Sequence, residues 1–142
     1  MYDLIIVGGG PAGLTAAVYA VRKRLHVLLV SEDLGGKTNY QMSLPWMETH
    51  QAIRGVDIVN KFRRELQYLD FAHRLEPVNS ISKSKAGSFL VETPTVTLEA
   101  KIVIVATGSR VKHLDVPGEH QFIGLGVTYS AISYAPLFIG RP

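Results

Sequence analysis

The 142 residues have the length of one domain, and a chain of about 150 residues buries roughly 70% of its unfolded surface, so a substantial core is expected. Hydrophobic residues make up 46% and charged residues 19%, which excludes the disordered and fibrous classes, and the absence of cysteine excludes disulphides and thiolate chemistry. The net charge of +3 comes from short basic clusters without interleaved aromatic residues, which favours a solvated surface over nucleic-acid binding. No apolar run has the length of a membrane span and the N-terminus lacks the features of a secretory signal, so we expect a cytoplasmic protein without a membrane partner.

The first third of the chain has the pattern of a strand, a helix and a second strand. Leu4 to Val7 is continuously apolar, which predicts a strand buried on both faces. Pro11 to about Lys23 predicts a helix, because proline suits a first helical turn and apolar residues then recur at helical spacing. Leu25 to Val30 predicts a second strand, and the short crossover makes the two strands parallel. We therefore predict a Rossmann-type β-α-β unit.

The glycine-rich turn of this unit, Gly8-Gly9-Gly10-Pro11-Ala12-Gly13, has the spacing of a dinucleotide-binding site. We expect Gly8 to make the turn, Gly10 to let the backbone approach a pyrophosphate, and Gly13 to let the helix pack on the strand. The unpaired N–H groups at the start of the helix suit the same anion. The alternative is a purely structural turn, and the correct flanks on both sides favour the dinucleotide site.

A second binding element is expected at the end of the second strand, where the sequence reads Val30-Ser31-Glu32-Asp33. An acidic residue at this place normally accepts hydrogen bonds from a ribose. Glu32 lies nineteen residues after Gly13, close to the usual offset of about 20, and is the residue that we choose for this contact. The alternative is a loop carboxylate exposed to water.

Further elements follow in chain order. Gly35-Gly36-Lys37 opens an ordered loop that runs to Trp46, and Gly55 to about Leu69 predicts a second helix with one apolar stripe. Short alternating stretches then predict a small antiparallel β-meander, with strands over Val78–Ser82, Phe89–Thr93 and Thr95–Lys101.

A last buried strand is predicted over Ile102 to Val105, and it ends in Ala106-Thr107-Gly108. Small residues at such a strand end permit close approach of a ligand. The fold class is therefore α/β, a Rossmann-like β-α-β unit with a parallel sheet plus a small antiparallel β-meander.

Together these features resemble the pyridine nucleotide-disulphide flavoproteins, and among them most closely the thioredoxin reductases. The resemblance spans the whole chain and rests on Gly-Gly-Gly-Pro-Ala-Gly at 8–13, Gly35-Gly36, Ala106-Thr107-Gly108, Pro117-Gly118-Glu119 and Gly126-Val127-Thr128-Tyr129. It implies a partial FAD-binding domain, with residues 1–120 as the N-terminal portion of that domain and residues 121–142 as a connecting segment toward an NAD(P)H domain outside this sequence.

The resemblance also implies where FAD binds. The pyrophosphate lies on the first turn, the adenosine near Glu32 and Val78, and the flavin along the loop after the second strand. The implied cofactor-binding residues are Gly8, Gly10, Pro11, Ala12, Gly13, Ser31, Glu32, Gly35, Gly36, Lys37, Thr38, Val78, Ala106, Thr107 and Gly108.

The sequence departs from the family pattern in three respects. Ser31, rather than Glu32, aligns without gaps with the usual acidic position, and Lys37 stands where the family often has glutamine. Ser130 and Ser133 stand where thioredoxin reductases have their redox cysteines, so we assign no catalytic residue. A serine hydroxyl supplies neither a thiolate nor a reversible S–S bond, which excludes dithiol exchange by that route.

Two functions remain open from the sequence. The first is the FAD-binding portion of a thioredoxin-reductase-like, NAD(P)H-dependent oxidoreductase with an unknown electron acceptor that is not a disulphide. The second is a non-catalytic dinucleotide-binding module or a subunit of a split flavoenzyme. In the first, the nicotinamide nucleotide binds a domain or partner chain outside this sequence. Exposed faces favour a homo-oligomer. The five histidines lack ligand spacing, so no metal site is expected.

Overall fold

The computed structural model of the chain describes residues 1–39, 60, 61, 64, 72–109, 112–123, 125–129, 139 and 140. The chain divides into two compact units, Met1–Gly108 and Ser109–Pro142. The helix predicted over Gly55 to Leu69 lies mostly outside the described residues, although residues 60, 61 and 64 are helical. None of the described helices is both long enough and apolar enough to cross a bilayer.

The first unit is a mixed sheet with one long helix against it. Its elements are β1 (Tyr2–Val7), α1 (Pro11–Arg22), β2 (Val27–Ser31), a 3-10 helix (Gly36–Asn39), β3 (His73–Leu75), β4 (Ser80–Lys83), β5 (Phe89–Glu92) and β6 (Thr97–Val105). The six strands lie in the order β3-β2-β1-β6-β5-β4. The predicted α/β fold with a parallel sheet and an antiparallel meander is confirmed.

Strand β1 lies at the centre of the parallel part of the sheet. It pairs in parallel with β2 and β6, so that Ile6 lies beside Leu29 and Ile104. Its side chains alternate between two core clusters, which explains why the run is apolar without interruption. One cluster packs against α1 (Leu4, Ile6, Leu14, Ala17, Val18, Ala20, Val27, Leu29) and the other lies on the meander side (Ile5, Val7, Leu28, Val30, Val91, Leu98, Ala100).

Asp3 of β1 connects this strand to β6 and to the residue before β2. Its carboxylate accepts hydrogen bonds from Lys101 Nζ at 2.7 Å and from the His26 N–H at 3.0 Å. The Lys101 bond, followed by the His26 bond, lowers the pKa of Asp3. The carboxylate is therefore held ionised between β1, β6 and the residue before β2.

The sequence predicted a third meander strand and a separate buried strand, and this division was wrong. A single strand, β6, spans both segments. Its first part pairs antiparallel with β5, and from Ala100 onward it pairs in parallel with β1. Lys101 interrupts the apolar pattern without ending the strand, because its side chain reaches Asp3.

The predicted burial of Ile102 to Val105 was also wrong. Ile102 is 59% exposed, Ile104 38% and Val105 63%. Among the described residues, the core cluster under α1 contains no residue of β6, and β5 pairs with β6 only as far as Ala100, so that neither covers this part of the strand. In the described part of the chain, β6 therefore has an open edge with exposed apolar side chains beside it.

Two elements were missed in the sequence. Strand β3 pairs in parallel with β2, but its three residues are exposed and carry no apolar alternation. In the second unit, a four-residue helix, α2 (Glu119–Phe122), is followed by a single parallel bridge between Ile123 and Val127. The sequence had suggested only connecting chain there.

Candidate dinucleotide-binding site

Three backbone segments meet at the carboxyl ends of β1, β2 and β6. Backbone hydrogen bonds hold them together, from Gly8 N–H to the Val30 carbonyl at 2.8 Å, from Gly35 N–H to the Gly9 carbonyl at 2.7 Å, and from Ala106 N–H to the Val7 carbonyl at 2.7 Å. Ligands bind at this end of open parallel sheets. The structure therefore brings the glycine-rich turn, the loop after β2 and the end of β6 to one place.

Three glycines of the turn, Gly8, Gly9 and Gly13, leave no room for a Cβ, and the spacing assigns roles to the first and the last of them. Gly8 has a φ of +112°, and a Cβ there would lie 2.3 Å from the Ala106 carbonyl oxygen. A Cβ on Gly13 would lie 1.8 Å from the Gly8 carbonyl oxygen. Gly8 thus makes the turn and Gly13 lets α1 approach it, as the spacing predicts.

Gly10 differs from both, because it faces open space. Its backbone is extended, and a Cβ built on it meets no atom of the described residues within 4 Å. It is the N-cap of α1, no side chain caps this end of the helix, and no acidic residue lies in the first turn. The positive end of the helix dipole is left without a counter-charge from its own first turn, which suits an anion.

The loop after β2 lies directly on the turn. The Gly9 N–H donates to Ser31 Oγ at 2.7 Å, whereas Glu32 is exposed. A Cβ on Gly36 would lie 3.4 Å from Gly10 Cα, so the backbones are in close contact. The structure therefore places the Ser31 side chain against the glycine-rich turn, and the ribose contact of Glu32 stays a prediction.

The rest of this loop is built from local hydrogen bonds. Asp33 Oδ1 accepts the Gly36 N–H at 3.1 Å, and Thr38 Oγ1 donates to the Gly35 carbonyl at 2.6 Å. Gly35 and Gly36 both have positive φ, and Lys37 is exposed on the 3-10 helix. The role of Asp33 was missed in the sequence, although an aspartate three residues before a glycine is a recognisable turn signal.

The end of β6 supplies the third side of the site. Gly108 has a φ of +68°, and no atom lies within 4 Å of a Cβ built there. Val78 is placed differently, because it packs partly buried against the meander-side core. Within the described part of the chain, no hydrogen bond joins Val78 to the glycine-rich turn.

A separate polar cluster lies in the second unit, around a buried carboxylate. Glu119 is 3% exposed and accepts hydrogen bonds from the Tyr129 hydroxyl, from His113 Nδ1 at 2.7 Å and from the N–H groups of Leu114 and Asp115 at 3.2 and 2.6 Å. The Tyr129 bond above all, with the other donors, lowers the pKa of Glu119 to about 2, although burial opposes the shift. Burial and the Glu119 carboxylate raise the pKa of Tyr129.

Two predicted positions of interest, Ser130 and Ser133, lie outside the described residues. Among the residues that the structure describes, no group of three His, Asp or Glu side chains is arranged to hold a metal ion. The candidate functional site is therefore the place in the first unit where the glycine-rich turn, the loop after β2 and the end of β6 meet.

Comparison with known proteins supports the fold and identifies the family. Residues 2–133 match the pyridine nucleotide-disulphide oxidoreductase family. The chain is 36% identical over 140 residues to a thioredoxin reductase of Ureaplasma parvum, covering 97% of this chain and 45% of that protein. It is 32% identical over 141 residues to an NADH dehydrogenase of Bacillus subtilis, covering 99% of this chain and 28% of that protein.

Solved structures agree with these relatives. The crystal structure of thioredoxin reductase from Streptococcus pyogenes superposes with a TM-score of 0.76 at 34% identity, covering 93% of this chain and 43% of that one. This chain thus spans less than half the length of the proteins that it matches here. On the family match and these likenesses together, the chain belongs to the pyridine nucleotide-disulphide oxidoreductase family.

Proposed function

We propose that this chain is the FAD-binding portion of an NAD(P)H-dependent flavoprotein oxidoreductase whose electron acceptor is not a disulphide. The observation that carries the proposal is the open space in front of Gly10, where the uncapped start of α1 and two further strand ends converge. A diphosphate needs backbone that it can approach and donors with a positive potential, and this arrangement offers both.

The convergent segments define which residues hold the dinucleotide. Gly10 and the first turn of α1, Pro11 to Gly13, lie against the diphosphate. Ser31 and Glu32 lie toward the adenosine ribose, together with Val78. The loop Gly35 to Thr38 lies along the flavin, and Ala106 to Gly108 support the cofactor from the other side. All of these segments except Val78 are joined by the hydrogen bonds or close contacts of the site.

The bound flavin would supply the hydride and electron transfer, while the protein holds the ring and tunes its charge. Lys37 is the residue of this chain that we expect to tune it. A lysine ammonium beside the flavin favours the anionic reduced form, where a glutamine amide adds no charge. The side chain is exposed on the 3-10 helix Gly36–Asn39, directly after the two glycines that contact the glycine-rich turn.

The amino-acid composition of the chain argues against a disulphide as the electron acceptor. With no cysteine, the chain has no thiolate for disulphide exchange, and serine occupies both positions of the redox pair. We therefore propose an acceptor that takes electrons from the flavin directly.

We further propose that residues 1–120 belong to the FAD-binding domain and that residues 121–142 lead toward an NAD(P)H-binding domain or a partner chain. The open edge of β6 supports a completing polypeptide segment, since Ile102, Ile104 and Val105 are exposed and, among the described residues, β5 pairs with β6 only as far as Ala100. The same edge favours the second candidate function, a subunit of a split flavoenzyme or a binding module without turnover. It also supports self-association of the isolated chain.

One preparation tests the proposal and separates the candidates. We expect the purified chain, incubated with FAD and passed through gel filtration, to elute yellow, while FMN and riboflavin are lost because they lack the second phosphate and the adenylate. Anaerobic bleaching by NADPH or NADH then marks an oxidoreductase, whether the chain acts alone or after a partner is added. A yellow protein that no nicotinamide nucleotide bleaches under either condition supports the binding module, and a protein that retains no FAD contradicts both.

A further inference from the structure

The strongest unassigned feature of the site is the side chain that fixes the glycine-rich turn. Three hydrogen bonds join this turn to the segment that begins at the end of β2, and two of them are between backbone groups, Gly8 to Val30 and Gly35 to Gly9. The third is the 2.7 Å bond from the Gly9 N–H to Ser31 Oγ. Of these three, only the Ser31 bond depends on the identity of a side chain.

The packing around Gly9 leaves little freedom in this bond. A Cβ on Gly9 would lie 2.2 Å from the Asp33 carbonyl oxygen and 2.9 Å from Ser31 Oγ. The serine is only partly exposed, at the last position of β2. The Gly9 amide is therefore held against the loop after β2 and is not directed at the open space in front of Gly10.

The consequence for ligand binding follows from the order of the chain. Gly9 directly precedes Gly10, the N-cap of α1, and Gly10 leads into the first turn of the helix. Fixing the Gly9 peptide group sets the direction in which the next peptide groups face. A donor whose acceptor is lost either stays unpaired or rotates toward other partners, and both change that direction.

We propose that Ser31 is a positioning residue for diphosphate binding, because its hydroxyl holds the Gly9 amide and so orients the peptide groups that follow. This inference rests on the proposed function, and it assigns to a neutral hydroxyl a structural part at the position where a ribose-binding carboxylate is usual. Ser31 has one hydroxyl hydrogen left to donate while its oxygen accepts from Gly9, so the bond to Gly9 does not exclude a further contact.

The test compares Ser31→Ala, which removes the hydroxyl, with Ser31→Thr, which keeps it, in the full chain. Ser82→Ala removes an exposed serine of β4 and is the matched control. We expect Ser31→Ala to bind FAD and ADP about tenfold more weakly, and Ser31→Thr to stay within about threefold of the unaltered chain. ADP carries the diphosphate without the flavin, so equal losses for FAD and ADP locate the effect at the turn.

A purely structural role for Ser31 gives a different pattern. The thermal midpoint of the ligand-free Ser31→Ala protein would fall while its affinities for FAD and ADP stay unchanged, and this result overturns the proposal. Unchanged affinity together with an unchanged midpoint overturns it as well.

Amide hydrogen exchange tests the bond without any ligand, and so separates failure of this inference from failure of the proposed function. In the unaltered chain we expect the Gly9 amide to exchange more slowly than the Gly10 amide, and in Ser31→Ala we expect Gly9 to exchange at least about tenfold faster. If the Ser31→Ala protein does not fold, the exchange rates of the Gly9 and Gly10 amides in the unaltered chain still test the inference. An unprotected Gly9 amide contradicts the inference even if FAD binds, whereas a protected one in a chain that binds neither FAD nor ADP means that the proposed function is wrong.

Discussion

Tyr129 donates its hydroxyl hydrogen to the buried carboxylate of Glu119, ten residues earlier in the chain. The bond joins two motifs that the sequence showed only as separate resemblances, Pro117-Gly118-Glu119 and Gly126-Val127-Thr128-Tyr129. The same carboxylate accepts the N–H groups of Leu114 and Asp115. The two motifs are thus parts of one hydrogen-bonded cluster in the second unit.

Because of this cluster, we expect the stability of the folded protein to depend on pH. The pKa of Glu119 is about 2 in the folded chain against an ordinary value of 4.5, so the folded state prefers the ionised form. A lowered pKa contributes stability that is fully present above pH 4.5 and is lost as the pH falls toward 2. We expect the free energy of unfolding of Glu119→Gln to lie below that of the unaltered chain at pH 7, with a gap that narrows between pH 5 and 3, measured by urea unfolding. A gap that stays constant across this range contradicts the assignment.

Removal of the Tyr129 hydroxyl isolates the largest cause of the shift. We expect Tyr129→Phe to raise the pKa of Glu119 toward its ordinary value, because the strongest donor to the carboxylate is lost while His113 and the two backbone N–H groups remain. A carbon-detected NMR titration of the Glu119 carboxyl measures this. Tyr19→Phe is the matched control, since Tyr19 is 63% exposed on α1. An unchanged Glu119 titration in Tyr129→Phe would show that the hydroxyl bond does not set the pKa.

The glycines of the turn differ in what they tolerate. We expect Gly13→Ala to destabilise the ligand-free chain by about 3 kcal/mol, because the new Cβ overlaps the Gly8 carbonyl and backbone must move. Gly10→Ala has no neighbour to displace and an allowed backbone conformation, so we expect a change within about 0.5 kcal/mol. Chemical denaturation of both variants measures the difference. Equal destabilisation would mean that Gly10 is also packed against protein.

The open edge of β6 predicts self-association. Ile102 is 59% exposed, and within the part of the chain that the structure describes, β5 pairs with β6 only as far as Ala100. We expect Ile102→Lys to weaken concentration-dependent association, measured by sedimentation velocity. Tyr19→Lys, a change at an exposed aromatic residue of α1, is the control and should leave association unchanged. If both variants associate as the unaltered chain does, the edge is not the contact.

Continuous apolar runs predicted the strands but not always their surroundings. Leu4 to Val7 was read correctly as buried on both faces, because β1 has strands on both sides and a core cluster on each face. Ile102 to Val105 has the same pattern, yet it lies at an edge that the described residues leave open. The apolar pattern of a strand shows that its side chains can be buried. Whether they are buried depends on which other helices and strands pack against them.

Part of the geometry of the candidate site, like part of the fold, could be predicted from the sequence. The positions of Gly8 and Gly13 followed from spacing alone, because steric demands on a strand-turn-helix connection are local. The contact between Ser31 and Gly9 could not be predicted from spacing, because this bond depends on how the loop after β2 folds back over the turn. The usual offset from Gly13 pointed to Glu32 instead. Edge strand β3 was likewise missed, because three exposed residues carry no periodicity.

We propose that the open space in front of Gly10 receives the diphosphate of FAD, and one titration tests this most directly. Flavin fluorescence is followed as FAD is added to the unaltered chain and to Gly10→Val, whose side chain would occupy that space. We expect saturable binding by the unaltered chain and a loss of affinity of at least about a hundredfold in Gly10→Val, with similar thermal midpoints for the two ligand-free proteins. Equal FAD affinity of the two proteins, or no binding by either, would contradict it.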